Sequence, residues 1–235
     1  MTEKEAGKFA EAEAEVHNIT NSKHQNEIEL MTKAFNMYIN GFNLIGSFTP
    51  TEDNEIEYAW LLCTVQSFNS LRCAIWLISH GYYGQAMALL RTTTEDWFIC
   101  NDCCKHPPTL DALYGRGEMP SYSAMARRAN KRSIYEGDYM TASQFVHSTN
   151  LSLRILLDTD TNTLRTAPTY DEVLLMACCE LFFRNAIRMT EFLYSFLHHL
   201  SEEKAEAWVK VANPCVQECG DWLRNIQGQN PPTAV

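Results

Sequence analysis

Little in this chain interrupts regular structure: of 235 residues, ten are glycine and eight are proline. That scarcity excludes a collagen-like fibre, and 46% hydrophobic content excludes a disordered tail. Positive charge is also short. Nineteen Lys and Arg stand against 29 Asp and Glu, a formal net charge of −10. Broad binding to nucleic acid needs many cations facing phosphates, so nucleic acid is not the expected partner. Long apolar runs are missing too. A membrane span needs about 18 residues, and the nearest candidate, Val173 to Phe183, contains Glu180 and is followed by Arg184. Met1-Thr2-Glu3-Lys4-Glu5 lacks the apolar run of a secretory signal. The expectation is a cytoplasmic protein with no membrane partner. Nine cysteines, an odd number, are then expected as free thiols rather than a disulfide framework.

Several catalytic signatures are absent. Gly115-Arg116-Gly117 is a bare GxG with no third glycine and no preceding strand. There is no HExxH and no GxSxG. The Glu-x-x-His pair of di-iron bundles is missing as well. Asp158, Asp160 and Asn162 imitate the start of a calcium loop. Thr163 stands where glycine is required and Thr169 where the bidentate glutamate belongs, so the segment is read as a turn.

What is present is helical periodicity. Ile28, Met31, Phe35, Tyr38, Phe42 and Ile45 recur in steps of three and four, one face of a helix ended by Thr49-Pro50-Thr51. Glu55 to His80 reads as a second long helix, with Tyr58, Leu61, Leu62, Val65, Phe68, Leu71, Ile75 and Ile78 on its buried side. Gly81 ends it, as left-handed residues often do. Tyr82 to Lys105 is a third helix, stopped by Pro107-Pro108, and 109–120 is a short helix and loop. Ser121 to Glu136 reads as a basic helix broken at Gly137, followed by a helix from Tyr139 to Thr149. Asp171 to Leu200 is the longest helix, and Ser201-Glu202-Glu203 opens a last one to about Gln227. The fold expected is an all-α multi-helix bundle with a short irregular or hairpin excursion near 151–169. Residues 1–23 are expected as an acidic arm or frayed helix, 24–227 as one domain and 228–235 as a loose tail.

Four polar groupings stand out. Arg91, Glu95, Asp102 and His106 share one side of the third helix, between large apolar neighbours that turn the stripe toward the bundle interior. Tyr139, Ser143 and His147 stand four apart, so Ser143 and His147 form a nucleophile-and-base arrangement, though with no orienting acid beside them. Cys100, Cys103, Cys104 and His106 resemble metal ligands, but helical spacing lets only two or three converge, and zinc needs four. No metal and no cofactor is therefore expected. Arg127, Arg128, Lys131 and Arg132 form the one basic cluster, a solvated face or a hold for a phosphate or an RNA backbone.

Gly81-Tyr82-Tyr83-Gly84-Gln85-Ala86-Met87-Ala88-Leu89-Leu90-Arg91 with Glu95, then Tyr139, Ser143 and Val146-His147, resembles a pattern of a mostly bacterial family of all-helical proteins without an assigned activity. The region is distantly similar to helical abortive-infection proteins. The resemblance implies a helical fold and a cluster of Arg91, Glu95, Tyr139, Ser143 and His147. HEPN ribonucleases pair an arginine and a histidine closely on one helix. Here Arg72 and His80 are too far apart and Arg91 has no histidine within reach, which speaks against that chemistry.

Two functions remain open at this level. One is a helical protein acting through oligomerisation, most simply as a homo-oligomer, or through a partner, with aromatics such as Tyr82, Tyr83, Trp208 and Trp222 at the interface. The alternative is a hydrolase, a nuclease or a small-anion binder. There Arg91 holds the anion, Glu95 orients it, Ser143 and His147 carry the chemistry, and Tyr139, Arg127 and Arg128 complete the binding set.

Overall fold

In the computed structural model the described residues are 3–147, 157–158, 163–164 and 167–229. They form ten α-helices: α1 (Glu3–Lys23), α2 (Gln25–Ile45), α3 (Glu55–Ser79), α4 (Tyr83–Cys103), α5 (Pro107–Leu113), α6 (Tyr122–Arg128), α7 (Arg132–Ile134), α8 (Met140–Val146), α9 (Glu172–Leu200) and α10 (Glu202–Gln229). A 3₁₀ turn, Glu52–Asn54, precedes α3, and a π-helical turn, Tyr135–Tyr139, joins α7 to α8. The architecture is the all-α bundle expected. Two short strands, β1 (Leu157–Asp158) and β2 (Thr163–Leu164), pair antiparallel, Leu157 opposite Leu164 and Asp158 opposite Thr163. The rest of the excursion, and residues 230–235 of the tail, lie outside the described residues.

The longest helix, α9, is the axis of the bundle, with α2, α3, α4 and α10 packed around it. It is buried almost all round: Leu175, Cys178, Phe182, Phe183, Ala186, Met189, Leu193, Phe196 and Leu197 are each within 1% of full burial. The Asp171 side chain caps its start, accepting from Leu174 N–H at 3.0 Å. The acidic segment at the N-terminus is helical to Lys23 and is seated on the bundle: Val16 and Thr20 are buried, and the Tyr82 hydroxyl donates to Glu13.

The two glycines that matter are places of close approach. A Cβ on Gly41 would stand 2.6 Å from Leu193 Cδ2 and 2.8 Å from Trp208 Nε1. Its absence lets the buried Trp208 lie on α2, where Nε1 donates to Met37 O at 3.0 Å. Gly81 has φ +81°, and a Cβ there would meet Thr169 O and Val16 Cγ1 at 2.9 Å. That is a left-handed turn in a crowded place.

Two expectations are corrected. Of the large residues assigned to the buried side of the second helix, Leu71 and Ile78 are buried, but Leu62 and Val65 are 40% and 39% exposed. The buried side also takes in the small residues Ala59, Cys63, Thr64, Ser67, Ser70 and Ala74, and Leu61, Phe68 and Ile75 pack half-buried against the core. Toward α4, Ser67 Oγ donates to Asp96 at 2.8 Å and Trp60 Nε1 donates to Cys100 O at 3.4 Å, so the small residues of α3 let the two helices approach closely. The basic helix breaks at Asn130, with φ 55°, not at Gly137, which sits inside the π-helical turn. Asn130 takes the left-handed conformation that ends α6, and Lys131 N–H then bonds back to Ala126 O at 2.8 Å. The following helix ends at Val146, and His147 is extended.

Gly41→Ala forces the ends of Leu193 and Trp208 aside, an overpacking that costs about 1–3 kcal/mol. We expect a thermal midpoint lowered by about 2–8 °C in a calorimetric scan. An unchanged midpoint contradicts the close approach of α2, α9 and α10.

Candidate functional site

The polar stripe of α4 separates into two places. At the first, Arg91 Nε lies 3.2 Å from Glu95 Oε1, with side chains 22% and 14% exposed. One i,i+4 step aligns the pair on the helix. At the second, the buried Asp102 accepts from Arg128 through Nε at 2.7 Å and through Nη2, and from Thr109 Oγ1 at 2.5 Å. His106 Nδ1 stands 3.7 Å from the same carboxylate and 3.0 Å from Thr109 Oγ1. Burial alone would raise the Asp102 carboxyl. The hydrogen bonds from Arg128 and Thr109, with the Arg128 and His106 charges, hold it below the ordinary value instead. Arg128, expected as a ligand-binding cation, therefore has its guanidinium engaged with Asp102, where it ties α6 to the end of α4.

The π-helical turn brings the tyrosines to the first place. Asp138 in that turn faces Arg184 Nη1 at 3.4 Å and Arg188 Nη2, both on α9. Arg188 in turn reaches Asn185 Oδ1 at 3.4 Å and lies over the Trp97 ring at 5.7 Å. Burial lowers the Arg188 pKa, and Asp138 opposes that shift. Asn185 is itself fully committed to α4: Nδ2 donates to Leu90 O at 2.7 Å and Oδ1 accepts from Thr94 Oγ1 at 3.1 Å. Clamped in this way, the turn lays Tyr139 beneath Arg91, 5.8 Å from ring to guanidinium. Tyr135 stacks on Tyr139 at 5.0 Å and Tyr122 meets it at 5.5 Å. Burial pushes the Glu95 carboxyl up, against the pull of Arg91 and of the Tyr139 and Tyr122 hydroxyls. Burial and the Glu95 charge push the Tyr122 hydroxyl up to about 12.

The structure thus gathers Arg91, Glu95 and Tyr139, adds Tyr122, and buries Ser143 one turn beyond Tyr139. His147 is not gathered. It is exposed at the extended end of α8, and its recorded contact is through the backbone, N–H to Ser143 O at 3.1 Å. Among the described residues no imidazole stands beside Arg91 and Glu95 to transfer a proton. The cluster is charge-balanced and rich in hydroxyls, and Glu95, its carboxyl pushed up by burial, is the group in it that can accept a proton.

All nine cysteines are free thiols. Cys103 Sγ and Cys104 Sγ both donate to Cys100 O, at 3.3 and 3.2 Å, while His106 turns to Asp102. Among the described residues no group of three or more His, Cys, Asp or Glu side chains is disposed to hold a metal ion. No protein-family model, curated protein or solved structure matches this chain.

One buried acid was not signalled by the stripe. Asp96 is 3% exposed, turned toward α3, and accepts from Ser67 Oγ at 2.8 Å. No cation pairs with it among the described residues, and burial pushes its carboxyl up to about 7. A carboxyl raised in the fold is protonated there while the unfolded chain is ionised, so its contribution is full below about pH 4 and is lost as pH rises through about 7. Asp96→Asn should therefore raise the thermal midpoint by several degrees at pH 8 and change it little at pH 4. Equal effects at the two pH values contradict a neutral Asp96.

Proposed function

We propose that the protein works by pairing with a second copy of itself through the outer face of α3. The observation that carries this reading is the disposition of that helix. By length and composition α3 is apolar enough to cross a membrane, yet only 39% of its most apolar stretch is buried in the bundle. Leu71 and Ile78 are buried with its small residues, but three other large residues face out. Tyr58, Leu62, Val65 and Trp76 fall on one narrow arc at about 100° per residue, and Leu62, Val65 and Trp76 are 40%, 39% and 50% exposed. The apolar surface continues onto α2, where Phe35 stacks on Phe68 at 4.4 Å and Phe42 meets it edge-on at 5.1 Å.

Charge selects the occupant. Tyr58 to Leu71 is fourteen consecutive residues without a charge, in a chain of net −10. Two such chains repel over most of their surface, and this strip is where the repulsion is least. From Tyr58 to Leu71 it presents no charge of either sign to recognise an acidic or a basic partner, and the exposed Arg72 lies at the end of that stretch, one turn before Trp76. A neutral apolar helix face is self-complementary about a two-fold axis, the commonest symmetry of soluble oligomers. Tyr82, Tyr83, Trp208 and Trp222 do not form this surface: Tyr83 and Trp208 are each 2% exposed and belong to the core.

Sedimentation equilibrium tests the reading. The wild-type chain is expected at twice 26.9 kDa. The double variant Leu62→Glu/Val65→Glu, which places two like charges on each side of the contact, is expected as a folded monomer by circular dichroism. A wild-type monomer at about 100 μM, far above a useful dissociation constant, or a dimer that survives both glutamates, overturns it.

A further inference from the structure

Between α6 and the π-helical turn lies a recess of ≈ 360 Å³ lined by Ser123, Ala126, Arg127, Arg132, Tyr135 and Glu136. That is within the range of small-ligand sites. Its cations differ in standing. Arg132 Nε lies 2.6 Å from Glu136 Oε1, an exposed pair. Arg127 is exposed and has no ion-pair partner among the described residues. Among the other described arginines, Arg91, Arg116, Arg128, Arg184, Arg188 and Arg224 each face a carboxylate, while Arg72, exposed on α3, is unpaired as Arg127 is. In a chain of net −10, a cation left unpaired at the wall of a recess is a place where an anion gains most.

The recess also has a rigid aromatic wall. Tyr135 is stacked on Tyr139 with an interplanar angle of 19°, and Tyr139 packs against Tyr122, the residue before Ser123. A guanidinium fork matches phosphate oxygens, a serine hydroxyl donates to them, and a fixed tyrosine ring offers a stacking surface for a flat ring. We propose that this recess binds a phosphate monoester carrying a planar ring, of mononucleotide size, with Arg127 and Arg132 on the phosphate and Tyr135 against the ring. The phosphate takes the place of Glu136 on Arg132. An ion pair this exposed is screened by water and contributes little, so that exchange costs little. The event is binding alone; no bond is made or broken. It lies on α6 and the π-helical turn and is independent of pairing through α3.

Calorimetric titration of the full-length protein with AMP and, separately, with inorganic phosphate tests the proposal. AMP is expected to saturate with a Kd between about 10 μM and 1 mM, and phosphate to bind about tenfold more weakly. Arg127→Gln, a substitution at an exposed position, is expected to weaken AMP about tenfold with an unchanged circular dichroism spectrum. Tyr135→Leu is expected to weaken AMP while leaving phosphate unaffected. No saturable binding of AMP below about 5 mM, equal affinity for AMP and phosphate, an unaltered Kd in Arg127→Gln, or tight binding of single-stranded RNA with AMP inert, each overturns it.

Discussion

The close approach of α3 and α4 is the constraint on which the rest of the structure depends. Ala59, Cys63, Ser67, Ser70 and Ala74 are small buried residues of α3, and Ser67 bonds directly to Asp96 of α4 at 2.8 Å. Interiors are packed to crystal-like density, so the side chain volume withheld from the inner face of α3 is not optional. Its consequence appears on the opposite side. There α3 carries Leu62, Val65 and Trp76 toward solvent, with Gln66, Asn69 and Arg72 among them. The same contact buries Asp96 against Ser67 and so builds an ionisable group into the joint itself.

A second layer of order comes from long-range charge. Asp138 with Arg184 and Arg188, and Asp102 with Arg128, fasten the short helices α6 to α8 onto α4 and α9. These elements are too short to be stable alone. The paired charges also decide what the surface can do. Because most described arginines are committed to carboxylates, the polar cluster of Arg91, Glu95 and Tyr139 is nearly neutral, and the unpaired Arg127 is conspicuous beside it.

The long helices were legible in the sequence because their periodicity is carried by many residues. α3, α4 and α9 fall within a residue or two of the expected boundaries, α2 ends three residues short of the expected Phe48, and the stop at Gly81 follows from its backbone. The direction of α3 was not legible. Periodicity placed Leu71 and Ile78 inward correctly but also assigned Leu62 and Val65 to that side, and it passed over the small Ala59, Cys63, Ser67, Ser70 and Ala74 that let α4 approach. The break at Asn130 was hidden for a related reason: glycine at 137 is the stronger local signal, while a π-helical turn held by Asp138 absorbs it. Of the site, Arg91 and Glu95 were legible because they are one helical step apart, whereas Tyr139, on another element, was joined to them only by the family resemblance. Arg184 and Arg188 lie 46 and 50 residues from Asp138, and no local pattern announces a pair at that separation. Asp96 was masked by the more regular stripe beside it.

The central claim is that the outer face of α3 is a contact surface. Fluorine NMR on protein labelled with 5-fluorotryptophan tests it residue by residue, because the five tryptophans are distributed unequally. Trp76 is half exposed on α3, while Trp97 and Trp208 are buried in the core. The account predicts that the Trp76 resonance shifts and broadens as protein concentration rises, with Trp97 and Trp208 unmoved. A Trp76 resonance that is independent of concentration, in a protein that nevertheless changes mass, would contradict it.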